Sequence, residues 1–194
     1  IAFVSAAFVL FWPNAYGQLL ILAVAGWFGL RYEQPAKTEI SENPDRQRPV
    51  GRRAGIICLT VYGLLLAALP LGRPLIDSPS YAMMDSMYRA GALVFGGGHV
   101  VLPLLHGEFA ASGIIAEQAF AAGYGAAQAV PGPLFTFAAY LGAVMHGGIG
   151  AAAATAAIFL PGLLLVYGTL PFWGAMRKQW RLQGFLAGVN AAVV

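Results

Sequence analysis

Gln128-Ala129-Val130-Pro131-Gly132-Pro133-Leu134-Phe135-Thr136 stands inside an apolar segment that runs over 118–145. Proline removes an amide donor and disfavours the α conformation in the residue before it, so a helix arriving through Gln128 must stop here. A new helix can start at once, with Gly132 as N-cap and Pro133 at the first helical position, where proline is favoured. The amides of Leu134, Phe135 and Thr136 are then left without intrahelical partners. At membrane depth each unpaired amide costs on the order of several kcal/mol, so such a break persists only where protein, water or a ligand supplies acceptors. A half-helix start also carries roughly half a positive charge, and broken membrane helices aim such ends at anionic groups. An oxyanion would meet both needs. A proline kink satisfied by neighbouring helices is the other reading of the same residues.

The break carries this cost only if lipid is the solvent, and composition says that it is. Hydrophobic residues make up 59% of the chain and charged ones 10%, where a soluble domain has about a quarter of its residues charged. Mean hydropathy is +0.70. A bilayer core about 30 Å thick needs roughly 20 apolar residues per helical span, and several stretches come near that length between short polar breaks. The stretches 56–71 and 151–166 are continuously apolar, without the alternation of a membrane barrel strand. The fold class is therefore all-α: a polytopic helical membrane protein with several short helices that are broken by Gly or Pro or re-enter the membrane. The single cysteine, Cys58, excludes an intrachain disulfide and reads as a small buried hydrophobe.

The net charge of +3 does not point to nucleic acid, because the basic residues flank apolar segments instead of forming one face. The positive-inside bias accounts for them. Residues 31–53 form the polar stretch, with Pro35, Pro44 and Pro49 among alternating charges, and its excess of arginine marks a cytoplasmic linker. Before it, 1–30 is apolar and interrupted at Trp12-Pro13-Asn14. After it, 54–71 makes one span, followed by a loop carrying Arg73, Asp77, Asp85 and Arg89 in balanced sign. Tyr81 to Tyr88 reads as an interfacial amphipathic stretch. Three interrupted segments follow: 90–105, broken by Gly96-Gly97-Gly98; 118–145, broken at the proline pair; and 149–173, broken at Pro161-Gly162. Arg177, Lys178 and Arg181 should face the same side as the linker, which requires an even number of crossings between them. The glycine-broken and proline-broken segments must then both cross or both re-enter. The chain begins at Ile1 and stops at Val194 within an apolar run, so it is expected to continue at both ends, and no signal peptide is read at its start.

The second motif is Phe95-Gly96-Gly97-Gly98-His99-Val100-Val101-Leu102-Pro103. Three successive glycines weaken a helix by about 1 kcal/mol each relative to alanine. They permit either close approach of another backbone or a nest of amides that cradles an anion. His99 follows as a donor and as a titratable group within the membrane, where such groups are costly and default to function. Gln128 can donate and accept near the proline break or serve as packing glue, and the Thr136 hydroxyl ordinarily bonds back to a carbonyl. Glu108 and Glu117 flank a polar turn over 107–116 and read as solvated or, for Glu108, as a second proton carrier beside His99. Arg89 either attracts anions or snorkels to the interface. His146 reads as a loop residue.

No catalytic residue, metal site or cofactor is expected. Ser112 lies outside any nucleophile elbow, and His99, His106 and His146 lack zinc spacing. The chain is not read as an enzyme.

The glycine-histidine motif, Ala127-Gln128-Ala129-Val130-Pro131-Gly132-Pro133, and Gly188-Val189-Asn190-Ala191-Ala192-Val193-Val194, in this order and spacing, resemble the chromate ion transporter family, best over 89–194. Long members of that family hold two homologous membrane halves in one chain. The resemblance implies that 1–30 closes a preceding half, that 31–53 joins the halves, and that 54–194 is most of the second. It further implies efflux of chromate across the bacterial inner membrane, driven by the membrane energy, with sulfate as a competing tetrahedral dianion. On this reading Gly96, Gly97, Gly98, His99, Gln128, Pro131, Gly132, Pro133, Leu134, Phe135 and Thr136 hold the anion, and His99 and Glu108 serve proton coupling. The partners are the anion, the bilayer, the missing first half and a second copy of the chain.

Overall fold

The computed structural model describes residues 15–32, 51–94, 98–130, 132–176 and 179–192. The Trp12 to Asn14 break, residues 33–50 of the polar linker, Arg177 and Lys178 lie outside them. Every regular element among the described residues is helical. In chain order these are α1 (Ala15–Tyr32), α2 (Arg52–Gly72), α3 (Pro79–Leu93), α4 (Gly98–Leu105) running into a π turn (His106–Ala110), α5 (Glu117–Ala129), a 3-10 turn (Leu134–Thr136), α6 (Phe137–Thr169), α7 (Trp173–Met176) and α8 (Trp180–Ala192). The chain separates into two compact units: Ile57–Val166, and Ile1–Ile56 with Tyr167–Val194.

In the second of these, α1 and α8 pack antiparallel through small residues. A Cβ at Gly29 would collide with the Gly184 carbonyl and one at Gly188 with the Ala25 carbonyl, the close backbone approach that glycine permits between membrane helices. At the start of α2, a Cβ at Gly55 would lie 2.8 Å from Pro171 and 2.9 Å from the Gly168 carbonyl. The start of α2 and the end of α6 therefore lie at one level.

Within Ile57–Val166 the chain turns back repeatedly. α2 is long and apolar enough to cross a bilayer, with mean hydropathy 2.2 and a length of about 31 Å at 1.5 Å per residue. Leu64 and Leu71 on it are 61% and 72% exposed, as a face meeting lipid tails should be. α6 passes the same length test, but it is two helices joined at His146 (φ −141°, ψ 23°) and Gly147 (φ 63°, ψ −152°). The second limb folds back on the first: a Cβ on Gly142 would lie 2.7 Å from that of Ala154 and collide with the Gly150 carbonyl. In one straight helix Gly142 and Gly150 would be about 12 Å apart. The limb from Gly148 to Thr169 gives about 33 Å of helix, enough to cross, whereas Phe137 to Met145 gives only about 13 Å.

That short limb also folds back on α5. Phe137 lies 5.0 Å from Phe120 and 6.2 Å from Tyr124, centroid to centroid, and the Tyr140 hydroxyl donates to the Ala119 carbonyl at 2.9 Å. α3 and the α4–π limb make a like pair, with Glu108 meeting Ser86 at 2.6 Å and Arg89 at 3.0 Å. Both interrupted segments therefore double back, which leaves α2 and the 148–169 limb as helices long enough to cross. The buried core joins these limbs: Met83, Met87, Val101, Leu105, Phe109, Phe120, Phe137, Leu141 and Ile158.

Gly147 carries the tightest of these reversals. Its φ/ψ pair lies where essentially only glycine is found. Gly147→Val should lower folding stability by about 1–3 kcal/mol, read as a lower melting temperature of the detergent-solubilised full-length protein. Gly148→Val, at a position with nothing within 4 Å of an added Cβ, is the control and should cost far less.

Candidate functional site

The tips of the two re-entrant pairs sit at mid-span. On the α3 side, the Tyr88 hydroxyl donates to the Tyr62 carbonyl at 3.0 Å and the Tyr62 hydroxyl to the Ala92 carbonyl at 3.4 Å. Tyr62 is the middle residue of α2. Gly91 lies against Ile158 and Pro161, its added Cβ 3.0 Å from the Pro161 ring. On the α5 side, Phe135 meets Phe159 edge to face at 5.5 Å. Ile158 and Phe159 lie at the middle of the 148–169 limb. Two crossing helices thus bracket both tips at the same depth, and α4 packs directly against the 3-10 turn Leu134–Thr136.

The two sequence motifs fall at these tips. Gly98 and His99 open α4, while Gly96, Gly97 and Pro131 lie outside the described residues. Gly132 and Pro133 are exposed between α5 and the 3-10 turn. The amide of Thr136 donates to the Pro133 carbonyl at 3.0 Å, so one of the three amides expected at this helix start is taken within the turn itself. The Thr136 side chain departs from expectation. Its Oγ1 is buried and has no hydrogen-bond partner among the described residues, instead of bonding back to a carbonyl, and a buried hydroxyl left unpaired is costly. Gln128 is exposed and donates to the Tyr124 hydroxyl at 2.8 Å, one turn back along α5.

A second constellation lies at the open ends of the same limbs, at the far end of α2. Asp85 is fully buried and accepts from Arg89 Nε through both oxygens at 3.1 Å. Arg89 Nη2 and Arg73 Nε approach the same carboxylate at 3.0 and 3.3 Å. Glu108 closes the cluster: Arg73 Nη2 and Arg89 Nη2 donate to its two oxygens at 3.1 and 3.0 Å, and Ser86 Oγ donates at 2.6 Å. Burial alone would push the Glu108 carboxyl up, but the Ser86 hydroxyl and the two guanidiniums outweigh it and hold the group below its ordinary range. Glu108 projects from a π turn, a local irregularity often found at functional positions.

Glu108 is not a solvated turn residue but a member of a four-charge cluster. Arg89 does not snorkel, because two carboxylates hold it. The 73–89 stretch is not a loop: Pro79 starts α3, and the helix carries Asp85, Ser86 and Arg89 onto one inward face. Arg73, Asp85 and Ser86 went unrecognised as site residues, although the i, i+4 spacing of Asp85 and Arg89 is a helical pairing signal. Glu117 is exposed and pairs with His106 at 2.7 Å. His146 is exposed at the kink and lies 3.2 Å from the Ser80 hydroxyl. Ser112 Oγ donates to the Glu108 carbonyl at 2.6 Å.

Half-length helices that re-enter between two spans, with their broken ends packed together at mid-depth, define an all-helical integral membrane protein of the broken-helix kind. The chain belongs to the chromate transporter family, whose sequence profile matches residues 81–194. It is similar to a chromate transport protein of Pseudomonas aeruginosa, with 36% identity over 109 residues covering 55% of this chain and 26% of that protein. An uncharacterized transporter of Methanocaldococcus jannaschii is 23% identical over 165 residues, 84% of this chain and 40% of its own. A chromate transport protein of Cupriavidus metallidurans is 31% identical over 112 residues, 55% of this chain and 27% of its own. The chain thus spans well under half the length of these relatives. No solved structure matches.

Proposed function

We propose that this chain forms part of a transporter that exports chromate from the cytoplasm across the bacterial inner membrane, driven by an ion gradient. The dianion is held at mid-span where α4 and the 3-10 turn meet, by the amides of Leu134 and Phe135, the Thr136 hydroxyl, and the backbone around Gly96, Gly97 and Gly98, with Gln128 and His99 assisting. The observation that carries this reading is the unpartnered Thr136 Oγ1, buried at a helix start that the Pro131-Gly132-Pro133 sequence opens at membrane depth. The relatives named as chromate transport proteins support the cargo. His99 and, once its guanidiniums are drawn away, Glu108 are the candidates for carrying a coupling proton. A preceding membrane half, joined through a cytoplasmic linker over 31–53, completes the permeation path, and a second copy of the chain is a further partner. Sulfate is the second cargo reading, because the same donors fit a tetrahedral dianion of similar size.

The test is chromate retained by cells making the full-length protein, at equal membrane abundance of each variant, with sulfate titrated as competitor. The parent should lower retention, and Gly132→Leu or Thr136→Val should return it toward the level of cells without the protein. Equal retention in all of them would remove chromate efflux from consideration.

A further inference from the structure

We propose that Arg73, Arg89 and Ser86 form a second oxyanion-binding station at the mouth of the re-entrant limbs, and that the Glu108 carboxylate fills it as a tethered stand-in until a tetrahedral dianion displaces it. The proposal rests on the oxyanion reading of the mid-span tips and extends it to a different set of residues.

The geometry separates the roles of the two carboxylates. Asp85 is fully buried and takes both Nε bonds of Arg89, so it is the fixed counter-ion. Glu108 retains 30% of its side-chain exposure and stands on the π turn. Three donors converge on its oxygens: Arg73 Nη2, Arg89 Nη2 and Ser86 Oγ, at 3.1, 3.0 and 2.6 Å. Two guanidiniums and a hydroxyl around one anionic group is how proteins hold sulfate or phosphate. When Glu108 leaves, Arg73, Arg89 and Asp85 keep a net charge of +1, with those donors still aimed at the vacated place. Protonating Glu108 would weaken its hold in the same way; of the other titratable groups at this end, His106 and Glu117 are paired with each other, His146 lies against Ser80, and Asp77 lines the cavity beside Arg73.

Access exists without rearranging the core. A cavity of about 480 Å³ is lined by Arg73, Ile76, Asp77, Ser78, Ala82 and Phe109 among others, so one guanidinium of the cluster is open to it. Depth also fits a relay. Arg73 follows the last residue of α2, and Tyr62 marks the level of the tips, about 16 Å away along the helix. An anion leaving the tips toward this end of α2 meets a second, stronger charge field at the mouth, and the internal carboxylate gives it an exit by recapturing the guanidiniums.

The experiment uses full-length protein in lipid nanodiscs and equilibrium binding of radiolabelled sulfate. Glu108→Gln, which keeps a polar group of the same shape but removes the competing charge, should bind sulfate about tenfold more tightly, the order expected for removing a charge-assisted competitor. The gain should persist with Gly132→Leu at the tips and disappear when Arg73→Gln is added. Glu108→Asp, whose shorter reach weakens the internal contact while keeping its charge, should show a smaller gain and serves if Glu108→Gln does not survive purification. Sulfate affinity unchanged by both Glu108 variants, with Gly132→Leu still abolishing binding, would overturn the station and leave the mid-span site standing. No sulfate binding in the parent or any variant would overturn both.

Discussion

Asp85→Ala is expected to cost about 3–5 kcal/mol, the penalty for removing one partner of a buried ion pair and leaving the other charge unpaired. Asp85 is the fully buried member of its cluster, and two guanidiniums depend on it at 3.0 to 3.3 Å. Without it, Arg73 and Arg89 share the Glu108 carboxylate alone, at the edge of a medium where an uncompensated charge is expensive. Against a total folding stability of about 5–15 kcal/mol, a loss of this size removes much of the folded population. The measurement is membrane abundance together with the melting temperature of the solubilised full-length protein. Adding Arg73→Gln to Asp85→Ala should recover part of the loss, because it removes one of the two stranded charges, and the recovery reports the coupling between them. A melting temperature unchanged by Asp85→Ala would mean that these ion pairs do not hold the limbs together.

Gly142→Leu is the second large effect, and its cause is steric. The two limbs of α6 touch backbone to backbone at Gly142 and Gly150, and a Cβ at either position runs into the other's carbonyl. The opposing atoms are main chain, the Ala154 methyl and the His146 Cβ, none of them the far end of a flexible side chain that could swing aside. Overpacking in a closed core costs about 1–3 kcal/mol where neighbours can adjust, and more is expected here because backbones set the spacing. Loss of folded protein from the membrane fraction should follow for Gly142→Leu and for Gly150→Leu. Gly162→Leu, on the same element with nothing within 4 Å of an added Cβ, should leave abundance near that of the parent. Equal abundance in all three would mean that the limbs do not close on one another.

Both predictions depend on the chain turning back on itself, which brings Arg73 to Asp85 and Gly150 to Gly142, yet much of what surrounds those contacts was legible. The proline pair with its glycine forces a helix end and a helix start wherever it occurs, because the lost amide and the fixed φ are local properties. The break between α5 and the 3-10 turn lies there. One helix ends at Leu93 and the next begins at Gly98. Charge parity reduced the topologies to two and went no further, since crossing and re-entering helices carry the same residues. The contacts of Phe137 with Phe120 and of Glu108 with Ser86 decided for re-entry.

The charged cluster was the least legible part. Arg73, Asp85 and Arg89 read as balanced loop charges, because composition reports how many charges a stretch has and not which of them share a face. Once Pro79 starts a helix, Asp85, Ser86 and Arg89 fall within about one turn of each other, and only the return of the π turn brings Glu108 to them.

From the sequence alone came the solvent, the helical class and the break at Pro131-Gly132-Pro133, because hydropathy and proline geometry act over a few residues; the break expected at Pro161-Gly162 is absent, the 148–169 limb running helical through Pro161. The tertiary structure decided that the broken segments double back, that their tips meet at mid-span, and that four charges from three separate stretches form one cluster. Those are distances between residues far apart in the chain. They follow from how limbs pack against one another, to which each limb contributes only a surface.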